Sequence, residues 1–408
     1  RRHPDRAHQA AARGGDVGLA TAAHLEAFAV DGLVPRRRVA ACSMDEVAEA
    51  IRGANEAGEA IVIWGGGTRI SIGDPPARYD VALDLSELRG IVDHEPGDLT
   101  ATVRAGTTLA ELAAALAPHG QRWPVEVAHP ERATVGGTVA SAAGGPSRYR
   151  YLHVRDWIIG ARAVLGDGTI THAGGRVVKN ATGYDLTRLY SGSYGTLCAL
   201  VEVSLKLAPV PERTLTLRTE MPDPGYAYFS ARELVATHLP LDALAVVMGA
   251  PAADLGAATW TGLFVRLAGA DAAVRRLRAD LEERLPFEEV TAPDVWERIA
   301  ALPADADTSV RASVPASGRL ETYPGSAVWY PGLETIHVLD EQNEDQLSAF
   351  RVLVEQRGGA VVIERAPLEL KRALGAWGTP RLPAAVARGL KARFDPRAVL
   401  APGRMPFS

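Results

Sequence analysis

The chain has 408 residues, with 44 Lys and Arg against 49 Asp and Glu, for a formal net charge of −5. That length supports two or three folding units, each with its own core, and the absence of any concentrated basic stretch excludes nucleic acid as the main partner. Two widely separated cysteines, Cys42 and Cys198, exclude a disulfide framework and a cysteine-ligated zinc or iron–sulfur centre, and fit a reducing, cytoplasmic setting.

Residues 1–33 carry Arg1, Arg2, Arg6 and Arg13 among Ala and Gly, with no apolar centre and no initiating Met, and read as a processed, truncated, unstructured or partly ordered extension. Ser43-Met44-Asp45-Glu46 is a capping-box pattern, and Val47, Ile51 and Ala54 follow at helical spacing, so a helix should run from here to about Gly53–58. Ile61-Val62-Ile63-Trp64 suits a buried strand that Gly65-Gly66-Gly67-Thr68 stops abruptly. Residues 99–104 alternate like a second strand, and Thr108 with Glu111 offers another capping box for a helix through Leu116. Around Gly166-Asp167-Gly168 the apolar residues predict a β-hairpin. Residues 201–207 alternate again and stop at Pro209-Val210-Pro211, the expected domain boundary. Beyond it, strand 263–267 precedes helix 272–285, and strand 334–339 precedes helix 344–356 and the apolar run Val361-Val362-Ile363. The longest uncharged apolar stretch, residues 243–253, has eleven residues, well short of the roughly 20 that span a bilayer, so no transmembrane segment is expected. The predicted class is α+β, with turns supplied by 40 Gly and 27 Pro.

Three clusters bear on chemistry. Gly65-Gly66-Gly67-Thr68 after a buried strand reads either as an ordinary tight turn or as a loop whose N–H groups approach a phosphate with no Cβ in the way. No glycines stand at i, i+2 and i+5 and no Gly-Lys-Ser/Thr occurs, which excludes the Rossmann and P-loop fingerprints. A second cluster, His129-Pro130-Glu131-Arg132-Ala133-Thr134-Val135-Gly136-Gly137-Thr138, continues to Ser141, Gly144-Gly145-Pro146 and Arg148, and suits a chain lying flat against a large phosphate-bearing ligand. The third is Val177-Val178-Lys179-Asn180-Ala181-Thr182-Gly183-Tyr184-Asp185-Leu186, followed by Gly192-Ser193-Tyr194-Gly195-Thr196-Leu197.

Taken in order, these clusters make the chain resemble the flavin-binding domain of the vanillyl-alcohol-oxidase and D-lactate-dehydrogenase superfamily, the PCMH type. Within it the chain is similar to the FAD-binding accessory subunits of bacterial glycolate oxidases, through Val178-Lys179-Asn180, Gly183-Tyr184-Asp185, Ser204-Leu205-Lys206, Gly145-Pro146 and Arg155-Asp156. The resemblance implies a two-lobed FAD-binding domain over residues 34–211, a smaller α/β cap over 212–380, and a C-terminal segment, 381–408, that returns to the FAD domain. It implies FAD contacts from Gly65, Gly66, Gly67, Thr68 and Arg69; from His129, Pro130, Thr134, Val135, Gly136, Gly137, Thr138 and Ser141; from Arg148 and Val154; and from Lys179, Gly195 and Leu200. The first loop holds no His, so the flavin is expected to be non-covalent. Tyr194 stands where D-lactate dehydrogenases usually carry Glu, and Cys198 where Gly is usual.

The implied activity is oxidation of a small 2-hydroxy acid such as glycolate, with electrons passed to a larger flavoprotein subunit and an iron–sulfur subunit, and with contact at the inner membrane made through those partners. The alternatives are an assembly subunit without its own turnover, and a stand-alone FAD-dependent D-2-hydroxyacid or alditol oxidoreductase. No H-x-H or H-x-x-x-H pair occurs, so no metal is expected. The chemistry also needs a cation for the carboxylate and a base for the hydroxyl proton. Lys179, Arg311, Arg319, Arg365 and Lys371 are candidate cations; Tyr330 and His337 are candidate bases, with structural packing as the alternative for each.

Overall fold

Ser43 starts the first long helix as its pattern predicts. Its hydroxyl accepts the Glu46 N–H at 3.2 Å, the helix runs Met44–Ala57, and Gly58 closes it in a left-handed conformation with φ 69°. The Glu46 carboxylate reaches back to the Cys42 N–H at 2.8 Å rather than to Ser43, so the box is shifted by one residue. At Thr108 the box is complete and opens the helix Leu109–Leu116. The computed structural model describes residues 22–175, 185–315, 325–380 and 382–406.

Two sheets, with a short pair of strands Gln121–Arg122 and Ala208–Pro209, form the first half among the described residues. Arg37–Ala40, Val81–Asp84 and Ile61–Trp64 make a parallel sheet with Val81–Asp84 in the centre. Ile91–Glu95, Thr100–Arg104, Cys198–Lys206, Ile158–Leu165 and Ile170–Gly174 make an antiparallel sheet in that order, the last two joined by the hairpin expected at Gly166-Asp167-Gly168. The two lobes share a core: Val47, Ile51, Val81 and Leu83 pack with Val164, Ala199 and Val201. Val399 and Leu400 belong to that same core, and Ile61 bridges to Leu400, so the C-terminal segment closes back onto the first half.

The second half is an eight-stranded antiparallel sheet. Its order is Glu288–Glu289, Arg213–Glu220, Thr261–Gly269, Ala243–Met248, Ala327–Tyr330, Thr335–Val338, Ser309–Ser313 and Ala360–Arg365. The apolar stretch 243–253 thus becomes a central strand and the start of the next short helix. A strand buried on both faces shows no alternation, which is why the sequence pattern alone left it unassigned. One face of the sheet, with Leu217, Val246, Val265, Val310, Ile336 and Ile363, packs under the helices Pro224–Ala236, Asp271–Glu282 and Glu344–Gln356. The opposite face presents Val328, Tyr330, Arg311, His337 and Glu364 toward the helix Val295–Asp305 and the first half.

The stretch up to residue 33, read from sequence as an unstructured or partly ordered extension, is ordered over its described part. Val30 is buried with Val62, Trp64, Tyr79 and Ala82. The Phe28 carbonyl accepts the Tyr79 hydroxyl at 2.9 Å, and Tyr79 in turn accepts Trp64 Nε1 at 2.7 Å. A few apolar anchors in a short Ala-rich segment leave no periodic signal, yet they suffice to dock it on the parallel sheet.

Candidate active site

Between the two lobes and the edge of the cap lies a solvent-open cleft. It is lined by residues 64–70 after the central strand, by segment 133–141, by Tyr194 and Gly195, by Cys198 and Leu200 of the long strand, by Ala304 of the cap and by Arg404 of the C-terminal segment. Ile63, Leu85 and Val127 add apolar wall. Arg404, which the sequence reading did not single out, donates from Nη2 to the carbonyls of Ile70 (2.6 Å) and Ile72, and so holds the first loop in place.

The glycines make this cleft by letting backbone meet backbone. A Cβ on Gly66 would lie 1.7 Å from the Arg132 carbonyl oxygen, and one on Gly65 would lie 2.3 Å from Thr134 Oγ1. Their immediate task is therefore to seat the first loop on the second, and only through that to shape a ligand surface. The two loops differ in their spare hydrogen-bond donors. Val135 N–H donates to Thr107 O at 2.9 Å, Gly136 N–H to Ala105 O at 2.8 Å and Gly137 N–H to Thr134 Oγ1 at 3.2 Å. The N–H groups of Gly65, Gly66, Gly67 and Thr68 donate to no atom among the described residues. Buried backbone donors need acceptors, so a row of spare N–H groups on a cleft wall fits the pyrophosphate of a dinucleotide, and the apolar walls fit its ring.

Where the cap meets the cleft, charged side chains from both halves converge on Glu364. Arg311 Nε is 2.9 Å and Arg69 Nη2 is 3.2 Å from Glu364 Oε1, and His337 Nδ1 is 3.4 Å from Oε2. Arg311 and His337 are opposed on neighbouring strands and share a face. Glu364 lies two residues from Val362, which pairs with Arg311, and so shares that face; a bulge, with Ser309 paired to Arg365 and Val310 to Ile363, leaves Glu364 as the extra residue. Burial alone would raise the Glu364 carboxyl; Arg69, His337 and Arg311 outweigh it and hold the group well below the usual carboxylate range. Burial pushes His337 down despite Glu364, so its imidazole is neutral at pH 7. Tyr330, whose ring stands edge-on to His337 at 6.0 Å, is driven upward by burial and stays protonated, so it can donate but not act as a base. Tyr194, in a left-handed turn with φ 51°, is likewise driven up by burial. Arg148 also faces this group; burial and then Arg311 lower it, and its Nε is buried without a partner.

Of the residues implied for the flavin, Gly65, Gly66, Gly67, Thr68, Arg69, Thr134, Gly136, Gly137, Thr138, Ser141, Gly195 and Leu200 line the cleft. Five stand elsewhere. His129 is partly exposed with Nε2 2.8 Å from Asp305, Pro130 lines a separate cavity, Val135 and Val154 are packed in the core, and Arg148 faces the cap cluster. Lys179 and Arg319 lie outside the described residues. Among the candidate cations, Arg311 is in the cluster, whereas Arg365 donates to the Ala304 carbonyl at 2.5 Å and Lys371 is buried in a different ion pair, with Asp31. Glu364 escaped the sequence reading because its only signal is an acid ending a buried apolar strand. No group of three or more His, Cys, Asp or Glu suited to a metal occurs among the described residues.

Residues 35–174 match the family described as FAD binding domain. The overall fold is that of alkyldihydroxyacetonephosphate synthase (TM-score 0.67, 16% identity, 91% of this chain and 77% of that one) and of p-cresol methylhydroxylase (TM-score 0.66, 16% identity, 90% and 88%). The FAD-binding match and the relatives' names together make this chain an FAD-dependent oxidoreductase, on a fold shared with those flavoproteins, and FAD is its cofactor. Glycolate oxidase subunit GlcE of Escherichia coli K12 is 32% identical over 358 residues, which is 85% of this chain and 92% of GlcE, and the chain belongs to that glycolate oxidase subunit family. Glycolate oxidase subunit GlcD of Bacillus subtilis is 33% identical over 184 residues, and D-2-hydroxyglutarate dehydrogenase of Xanthomonas citri pv. viticola is 34% identical over 180. The chain spans only 39% and 38% of these two.

Proposed function

We propose that this chain is the FAD-carrying subunit of a glycolate oxidase-like complex and oxidises a small 2-hydroxy acid. The observation that carries the reading is the cluster at the cap edge of the cleft: two guanidinium groups, Arg69 and Arg311, share one carboxylate, Glu364, beside the neutral His337, with a third guanidinium, Arg148, facing them. Such a site has positive charge to spare for a carboxylate and an imidazole able to take a proton. Arg311 and Arg148 fix the substrate carboxylate from opposite sides of the domain boundary, and His337 accepts the hydroxyl proton. FAD, when bound, supplies the hydride acceptor for C2–H. The free N–H groups of Gly65 to Thr68 hold its pyrophosphate, and the cap covers the cleft edge and keeps water from the reacting atoms.

A larger flavoprotein subunit and an iron–sulfur subunit take the electrons onward. The relatives' names support an assembly, since GlcE and GlcD are each named as a glycolate oxidase subunit. The chain's two cysteines are one exposed and one buried and provide no iron–sulfur ligand set. No described helix is long and apolar enough to cross a membrane, so membrane contact in this reading is made by the partners.

Anaerobic addition of glycolate or D-lactate to the purified yellow protein tests the reading. Bleaching of the flavin band is the expected result; a flavin that neither acid reduces, alone or in the co-purified complex, overturns it.

A further inference from the structure

We propose that Glu364 is a positioning residue that sets Arg311 as the carboxylate anchor and His337 as the proton acceptor, and ties both to the flavin loop through Arg69. The inference rests on the 2-hydroxy acid reading of this site. Its basis is geometric. The bulge opposite Ser309 and Val310 is confined to one residue, and that residue is the acid on which all three partners converge. Glu364 stands two residues from Val362, the cross-strand partner of Arg311, so strand alternation puts its side chain on the face that Arg311 and His337 share, and the bulge leaves it without a cross-strand partner of its own.

Oε1 takes the two arginines, and Oε2 stands 3.4 Å from His337 Nδ1, a buried nitrogen with no other partner. Arg311 donates Nε to Glu364 and also interacts with Tyr194, which lines the cleft. An imidazole whose Nδ1 proton faces Glu364 leaves Nε2 as the accepting atom. Bound FAD would supply the acceptor for the C2 hydrogen with its electron pair, and His337 would take the hydroxyl proton, leaving a 2-oxo acid. The imidazolium so formed sits beside Glu364, which stabilises it. The charged and titratable groups that face His337 are Glu364, Arg311 and Arg69, with the Tyr330 ring alongside. Arg69 adds a link between subsites: it lines the cleft and pairs with Glu364, so the cap acid is attached to the loop that cradles the cofactor.

The test compares the full-length protein with Glu364→Gln and Glu364→Asp, each checked for native melting. Three readouts are followed: the NMR titration of His337 in flavin-free protein, the binding of oxalate as an unreactive carboxylate, and the pH dependence of anaerobic flavin bleaching by glycolate or D-lactate. In Glu364→Gln the His337 midpoint should fall by about one pH unit, because an anion that favours the imidazolium is gone. Oxalate binding should weaken about tenfold as Arg311 loses its tether, and the acid limb of the bleaching profile should move to lower pH with a reduced plateau. Glu364→Asp, which keeps the charge on a shorter stem, should recover part of each effect. A folded Glu364→Gln protein with the wild-type His337 midpoint and oxalate affinity overturns the positioning role. If the wild-type flavin is bleached by no 2-hydroxy acid, the functional reading fails by itself, and the His337 and oxalate measurements still decide the role of Glu364. If Glu364→Gln does not fold, the same criteria apply to Glu364→Asp, and wild-type values in it for both His337 and oxalate count against the proposal.

Discussion

Lys371 Nζ lies 2.7 Å from both carboxylate oxygens of Asp31 and 2.8 Å from the Ser71 carbonyl, a contact that joins the N-terminal segment, the cap and the flavin loop. Lys371 is 1% exposed, and Arg404 Nη1 stands 3.6 Å from the same aspartate. A buried ion pair of this kind is costly to break from one side, because the remaining charge is left without a partner. Lys371→Met should therefore lower unfolding stability by about 3–5 kcal/mol. Urea denaturation of the flavin-free protein measures it; a loss under about 1 kcal/mol would show that the contact is not a structural clamp.

Gly66→Val should abolish FAD binding and lower the melting temperature together. A branched side chain there meets the Arg132 carbonyl, so the two loops must part, at a cost of about 1–3 kcal/mol for overpacking. Flavin titration followed by fluorescence, with a melting curve on the same sample, checks both effects. Unchanged FAD affinity would mean that the loop contact does not shape the cofactor site.

The purified protein should be yellow and should release its flavin on acid or heat precipitation. The first loop, Trp64 to Gly73, offers no His for attachment. Flavin that stays with the denatured chain would refute a non-covalent cofactor.

The Glu364 carboxyl is held below its ordinary value, so the unfolded chain takes up its proton first as the pH falls. The stabilisation it brings is complete above about pH 4.3, the unperturbed glutamate value, and is lost as the pH drops from there through the folded value. The melting temperature of the wild type should exceed that of Glu364→Gln between about pH 6 and 8, and the gap should close in acid below about pH 4.3. A gap that stays constant down to about pH 3 would contradict an ionised Glu364.

Expressed alone, the chain should turn over glycolate or D-lactate slowly. Co-expression with a larger flavoprotein subunit and an iron–sulfur subunit should restore acceptor-linked activity, as a pull-down and a steady-state assay would reveal. Rapid turnover by the isolated chain with oxygen or a quinone would favour the stand-alone alternative.

The sequence by itself determined what depends on short range. Thr108 with Glu111, Ser43 before its helix, and the turn at Gly166-Asp167-Gly168 are local devices, and each stands where its pattern predicts. The three glycine clusters were legible for the same reason, since a run of residues without Cβ announces close approach wherever it occurs. What a glycine approaches was not legible: Gly66 meets Arg132, a partner chosen only when the first loop is seated on the second. Tertiary structure alone decided the cap cluster. Arg69 and Glu364 stand 295 positions apart, and no periodicity records that one follows a loop of the first lobe while the other is the bulged residue of the last cap strand. It also decided the fate of the candidate cations, because a charge becomes a site or a clamp according to the partner the fold gives it, as Arg311 beside the cleft and Lys371 on Asp31 demonstrate.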